Sequence, residues 1–462
     1  MVRAAIVSAL AVLCACDGSR PEAGPRYITI GADAVETARA AVAPAGAWGE
    51  VLEVAGDVAV LAVDEADLEP LSEAMHERHD RCGGFMLHES LDEARAALRP
   101  PPARAADGGG YTLDQAALVR EVLPAVSAER IHATIAELSS MKNRYYQSDS
   151  GAAASIWLRD RWRSFSSRPE VTVELFDHGY AQRSVILTIP GTTRAREVVV
   201  IGGHLDSISL GGRDGKAPGA DDDASGIATL TEVARVLLAR DHRPARTLQF
   251  IAYAAEEVGL RGSLSIVREY KRRGVHVAGV LQLDMTNYQG SDRDIWLIRD
   301  HTDAAQNTFL ARLIDTYVGA TWGYDVCGYA CSDHASWHRA GIPASMPFES
   351  RSSQRNKTIH TSKDTLETSG NNAAHAVKFG RLAAAYAIEL AKTAPAASPA
   401  APYPPAASPA PPTSGAAPAT AGAGPERASG AGSAAWTLLA ALGLALALAG
   451  LARAWASRSS AR

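Results

Sequence analysis

Cysteine is scarce. The 462 residues hold five, Cys14, Cys16, Cys82, Cys327 and Cys331, too few for a fold held together by cross-links. A large excess of one charge is also missing: 46 Lys and Arg stand against 51 Asp and Glu, a formal net charge of −5. No basic stripe relieves that balance, so nucleic acid has no electrostatic footprint here and is excluded as a partner. A G-x-S-x-G elbow is absent, which removes the nucleophile of a serine hydrolase, and no glycine-rich loop is built to cradle phosphate. What is present is core material. Hydrophobic residues make up 47% of the chain and charged residues 21%, enough to bury a substantial interior.

Long apolar runs occur at the two ends. Residues 1–16, MVRAAIVSALAVLCAC, have the charged start, apolar middle and small-residue end of a secretory signal. The last four also look like a lipoprotein cleavage box, which would place lipid on Cys16. Residues 434–452 are long enough to span a bilayer as a helix. Arg453, Arg458 and Arg462 follow with no acidic residue, so the tail belongs inside and the main chain outside. This end also resembles the sorting tags of bacterial surface proteins, so a membrane or sorting machinery is an expected partner there.

Composition divides the rest. Residues 17–107 mix short β-like and helical runs and end in the breaker-rich stretch RPPPARAADGGG at 99–110, open to a processing protease. Residues 394–433 are nearly all Ala, Pro, Ser, Gly and Thr and form a tether. The main domain, 108–393, alternates helical patterns with short continuous apolar runs at 184–189, 197–201, 247–252 and 277–283. Strands of that kind are buried on both faces. The expected fold is a three-layer α/β/α sandwich with a mixed, mostly parallel central sheet, preceded by a small α+β unit.

Polar residues cluster where these strands should end. After the strand at 197–201 come His204 and Asp206, two apart and therefore on the same side. His204 offers an imidazole to a metal and Asp206 can hold its other ring nitrogen. Asp221, Asp222 and Asp223 precede a helical stretch expected to be amphipathic over 227–239. One Asp would cap that helix; three adjacent carboxylates repel, and a cation relieves them. The strand at 247–254 delivers Glu256 and Glu257, whose side chains diverge, so that one can bind metal while the other acts as a base. Asp284 ends another apolar run, and His360 lies in a late loop. Two His and three carboxylates can hold two zinc ions with one carboxylate shared, a donor set that suits zinc better than calcium. Two other histidine pairs are set aside. His76 and His79 lack the spacing of a zinc-protease helix, and His334 and His338 have the spacing without the following Glu.

The motifs GGHLDS, PGADDDASG, AAEEVGLRGS, QLDMTNY, CGYACSDHASWH and IHTSKDT, in this order over 111–393, resemble those of secreted bacterial leucyl aminopeptidases with a co-catalytic zinc pair. The resemblance implies His204, Asp222, Glu257, Asp284 and His360 as ligands of two Zn2+, with Asp222 bridging. It implies Glu256 as general base, Asp206 as the residue that orients His204, and a cis peptide between Asp222 and Asp223. It also implies a disulfide between Cys327 and Cys331. The segment before residue 105, including Arg81 to Phe85, is similar to the family's propeptide. The implied substrates are peptides with a free N-terminus. Their first side chain would enter a pocket of Met285, Ile298, Tyr329, Met346, Phe348 and Ile359. The chain departs from the family in the loop before His360, where Ser352 and Arg355 stand in place of two aromatic residues. Arg355 either points inward, attracting a polar or acidic side chain, or points to solvent and leaves a wider pocket; the second is the plainer expectation. Two competing readings are a carboxypeptidase or deacylase of the same metal class, and a catalytically dead binding ectodomain. The first lacks an inserted domain, and the second conflicts with the complete set of candidate ligands.

Overall fold

The computed structural model describes residues 25–42, 49–99 and 111–393. The stretches expected to be leader (1–16), tether (394–433) and apolar span (434–462) lie outside the described residues, as does nearly all of the connection at 99–110. Among the described residues no helix is long and apolar enough to cross a membrane.

The N-terminal segment forms a four-stranded antiparallel sheet of β1 (Arg26–Gly31), β2 (Glu50–Ala55), β3 (Val58–Val63) and β4 (Phe85–His88), in the order β2-β3-β1-β4. Ile28, Ile30, Leu61 and Val63 from the two central strands pack on Leu71 and Met75 of the helix Leu68–His79 to make a small core of its own.

Residues 111–393 form three layers. The strands that follow are β5 (Thr172–Phe176), β6 (Ser184–Ile189), β7 (Arg194–His204), β8 (Arg246–Tyr253), β9 (His276–Gln282), β10 (Ile295–Ile298), β11 (Trp322–Asp325), β12 (Ala344–Ser345) and β13 (Pro347–Phe348). Six of them make the central sheet, in the order β12-β9-β7-β8-β6-β5. The β12–β9, β9–β7 and β7–β8 pairings are parallel, and the other two are antiparallel. β10, β11 and β13 form a three-stranded sheet of their own. The apolar runs are buried on both faces for the reason the sequence suggests. Along β7, Val199 and Ile201 enter one core with the helices Ala224–Ala239 and Ala376–Ala391, while Val198 and Val200 enter another with the helix Arg261–Arg272 and Trp337. Alternating side chains thus feed two cores from one strand. The helix expected to be amphipathic over 227–239 instead begins at Ala224 and is buried on nearly every side, because helices Ala128–Ser139 and Ala376–Ala391 pack on the faces that the sheet leaves free.

This topology positions the polar residues. β9, β7 and β8 are adjacent and parallel, so their C-terminal ends share one edge. At that edge the chain reaches His204 at the end of β7, Glu256 and Glu257 just past β8, and Asp284 just past β9. Ligand sites of open α/β sheets form along such an edge.

Candidate metal centre

Asp222 reaches the edge because Asp223 anchors the turn before the helix Ala224–Ala239. The Asp223 carboxylate accepts hydrogen bonds from the backbone N–H of Gly226 (2.8 Å), His204 (3.0 Å) and Met285 (3.2 Å). The peptide between Asp222 and Asp223 is cis. Glycine is required here for close approach: a Cβ on Gly203 or Gly226 would collide with the carbonyl oxygen of Leu283. Three residues beside the site, Ala255, Met285 and His360, take left-handed φ values of 54°, 56° and 59°, conformations that L residues adopt at a cost and that concentrate at functional sites.

The two carboxylate oxygens of Asp222 face different partners. On one side, His204 Nε2 lies 2.9 Å from Asp222 Oδ1 and 3.6 Å from Asp284 Oδ1. On the other, His360 Nε2 lies 3.2 Å from Asp222 Oδ2 and 2.8 Å from Glu257 Oε2. All five residues are buried. His204, Asp222 and Asp284 place one donor atom each within 4.8 Å of one another, close enough for one ion. Both oxygens of Glu257 and both ring nitrogens of His360 are buried without a hydrogen-bond partner, although donor and acceptor atoms lie close by. Atoms that converge without hydrogen-bonding are the arrangement of ligands around a cation.

Electrostatics support a cation. Burial drives Glu257 up to about 7 and lifts Glu256 well above the carboxylate range. Burial also opposes ionisation of Asp222, but the His204 and His360 imidazoles beside it hold it well below its ordinary value. Burial alone would discharge both histidines; carboxylates around them, led by Asp284 for His204 and Glu257 for His360, raise them instead. Divalent cations reverse this balance, keeping carboxylates ionised and imidazoles neutral. The residues therefore fit zinc, whose ligands are imidazole and carboxylate.

The surroundings hold these groups in place. Asp206 accepts the backbone N–H of Glu256 (3.0 Å) and Glu257 (3.1 Å), and its Oδ1 lies 3.5 Å from His204 Nδ1. Glu256 is buried, with Oε2 lacking a hydrogen-bond partner. Met285, Ile298, Met346, Phe348, Ile359 and Cys331 form one apolar cluster with Cys82, Cys327 and Tyr329 against it. All of these but Ile359 line a pocket together with Asp284. Cys327 and Cys331 are joined by a disulfide at its wall.

Arg355 departs from the plainer expectation. It does not point to solvent. It lines the pocket with Ser352, is only 6% exposed, and its guanidinium lies 2.7 Å from Asp80 Oδ1 in the N-terminal segment. Asp80 comes from 275 residues away in sequence, so no local pattern could indicate it. Sequence reasoning also missed Arg144. This fully buried guanidinium donates to the carbonyls of Leu205 (2.8 Å) and Gly219 (3.0 Å) and so ties the loop bearing Asp206 to the loop bearing Asp222. Asp364 was missed as well, although it stands in a motif already singled out; its carboxylate accepts the backbone N–H of Asp221 and of Asp222, each at 3.1 Å.

A model described as peptidase family M28 matches residues 184–386. Leucine aminopeptidase 1 of Arthroderma otae is 37% identical over 292 residues, which cover 59% of this chain and 77% of that protein. A probable leucine aminopeptidase of Arthroderma benhamiae is 33% identical over 323 residues, 68% of this chain and 88% of the relative. Among solved structures, the LapA aminopeptidase of Legionella pneumophila superimposes with a TM-score of 0.69 at 29% identity, over 80% of this chain and 98% of that one. LapB from the same organism gives 0.68 at 28% identity, over 80% and 100%.

Proposed function

The chain belongs to peptidase family M28 and is a zinc-dependent aminopeptidase, and we propose that it is secreted, holds two zinc ions and releases N-terminal, preferably apolar, residues from peptides with Glu256 as general base. The observation that carries this reading is Asp222, whose two oxygens each face a separate imidazole–carboxylate pair. His204 and Asp284 would hold one ion, His360 and Glu257 the other, with Asp222 shared. Bound zinc supplies Lewis acidity, polarising the scissile carbonyl and making water nucleophilic at neutral pH. Glu256 takes the proton of the attacking water and returns it to the leaving amine. Its adjacency to Glu257 and its unpartnered oxygen leave it free for this role. Asp206 keeps His204 in one orientation. The apolar pocket receives the side chain of the first residue, and only that residue lies beyond the scissile bond in this proposal.

Hydrolysis of amino-acyl anilides, compared with N-acetylated and C-terminal substrates before and after chelation, tests the reading. Activity confined to free N-termini and abolished by chelation is expected. Activity on blocked substrates would replace it with a deacylase, and activity at C-termini with a carboxypeptidase.

The segment 17–107 acts, in this proposal, as a propeptide that a processing protease removes near 99–110. Its packing over the site supports this: the helix Leu68–His79 sets Ser72 Oγ 2.8 Å from the Glu257 carbonyl and brings the His76 ring, tilted by 42°, to 4.6 Å from the His360 ring. The leader-like start and the apolar end support a secreted or surface-held protein, with lipid on Cys16 or the 434–462 segment as anchors. N-terminal sequencing of the active form checks the processing. An active form that still begins near Cys16 and gains nothing on proteolysis would remove the inhibitory role.

A further inference from the structure

Cys82 is the free cysteine among the described residues, and the segment around it is pinned on both sides. Before it, Asp80 pairs with Arg355 (2.7 Å) and Lys357 (2.5 Å). At the residue itself, the backbone N–H donates to the Tyr329 hydroxyl at 2.9 Å. After it, Gly83 and Gly84 take φ of 55° and 79°, which lets the chain turn against the Glu257 carbonyl, and Phe85 packs on Gly259. These contacts aim one side chain inward. Cys82 Sγ lies 4.0 Å from Asp222 Oδ2, and the donor atoms of Cys82, Asp222 and His360 all fall within 4.8 Å of one another. Two donors on one tetrahedral zinc, with Zn–S of about 2.3 Å and Zn–O of about 2.0 Å, stand roughly 3.5 Å apart. A second, independent feature points to the same ion: His360 Nε2 and Glu257 Oε2, both buried and without hydrogen-bond partners, lie 2.8 Å apart beside Asp222 Oδ2.

We propose that Cys82 is a removable metal ligand. With Asp222, Glu257 and His360 it completes a four-donor set on the His360 side of the centre. Structural zinc sites are closed in this way, whereas catalytic sites keep one position open. The uncleaved chain is then latent because its own thiolate fills the open position; the thiol proton leaves to solvent as the S–metal bond forms. Removing the N-terminal segment reopens the position. Tyr329 and Arg355 have a place in this scheme as the clamps on either side of the thiol.

This inference rests on the two-metal reading above, and cobalt substitution separates the two. The uncleaved full chain is loaded with Co(II) in place of zinc, alongside Cys82→Ala and Cys82→Ser, the second close in shape to the native residue. A thiolate-to-cobalt charge-transfer band in the near ultraviolet is expected for the uncleaved wild type. It should be lost in both variants and after removal of the N-terminal segment, while the visible d–d absorption persists in all four. Visible absorption without the charge-transfer band in the uncleaved wild type would overturn the role of Cys82 and leave the metal centre standing. A band that survives both substitutions would do the same by assigning it to another thiol. Failure of every form to take up cobalt would overturn the metal-centre reading itself.

Discussion

Carboxylates crowd two regions of this molecule, and they are treated in opposite ways. Along the seam between the N-terminal sheet and the main domain, three acidic side chains meet basic ones: Glu65 with Arg261 (2.5 Å), Glu93 with Arg268 (2.8 Å) and Asp80 with Arg355 (2.7 Å). At the ends of β7, β8 and β9 the ion pairs of Asp222, Glu257 and Asp284 among the described residues are with imidazoles. The acidic partner in each of these pairs is about a third to a half exposed, so each pair contributes on the order of 1 kcal/mol, enough to set where one segment docks and weak enough to release it. Buried carboxylates without a protein cation are far more costly, and a divalent ion is the remedy that the surrounding imidazoles anticipate. Charge balanced within the chain holds the chain together; charge left unbalanced holds a metal.

The comparison breaks most sharply at the adjacent glutamates. Glu256→Gln keeps the size of the side chain and removes the base, so kcat should fall by about 10² to 10⁴ with metal content unchanged. Kinetics together with metal analysis checks this, and near-full activity would take Glu256 out of the reaction. Glu257→Ala should act one step earlier and lower the metal content itself, because it withdraws the buried carboxylate whose Oε2 lies 2.8 Å from His360. Full occupancy in that variant would mean the two glutamates have exchanged roles.

A smaller effect belongs to the seam. His88 on β4 is 2% exposed, and burial lowers its pKa to about 4 from 6.5. The docked segment cannot take up that proton until the pH nears 4, whereas a released or unfolded segment takes it up below 6.5. Its contribution to docking is therefore present in full above 6.5 and is lost as the pH falls towards 4. Release of the cleaved segment, followed by size separation across this range, should increase with acidity, and His88→Gln should flatten the profile. A profile unchanged by that substitution would place the pH dependence elsewhere.

The smallest effect concerns the pocket. Ser352 and Arg355 line it where the resembling family carries aromatic residues, while Met285, Ile298, Met346, Phe348 and Ile359 remain. Lost apolar contact of this size shifts discrimination by about 1–3 kcal/mol, so kcat/KM across a panel of amino-acyl substrates should be flatter than for a strict leucyl enzyme. Arg355, freed from Asp80 once the segment leaves, adds a basic group at the pocket wall. A sharp preference for leucine over methionine, phenylalanine and polar residues would contradict this.

What could be read from sequence was what is local. Short apolar runs marked the buried strands, and His204, Asp206, Glu256, Glu257 and Asp284 stood just past the ends of three of them, so the parallel topology needed only to bring those ends to one edge. Cis and left-handed backbone at Asp222–Asp223, Met285 and His360 left no local signal beyond the motifs themselves. Contacts made across the chain were invisible. Arg355 looked like a surface residue because its partner, Asp80, comes from the N-terminal segment, far away in sequence. Arg144 carried no motif at all, since its partners are backbone carbonyls. Cys82 drew notice only as part of a propeptide-like run, and its approach to Asp222 spans 140 residues of sequence.

The central claim is that the unbalanced carboxylates at the sheet edge hold two cations through Asp222. Metal analysis of the processed wild-type protein beside Asp222→Asn tests it most directly. Two zinc ions per chain are expected in the wild type, and loss from both sides of the centre in the variant. One ion or none in a fully active wild type, or two ions retained without the Asp222 carboxylate, would contradict it.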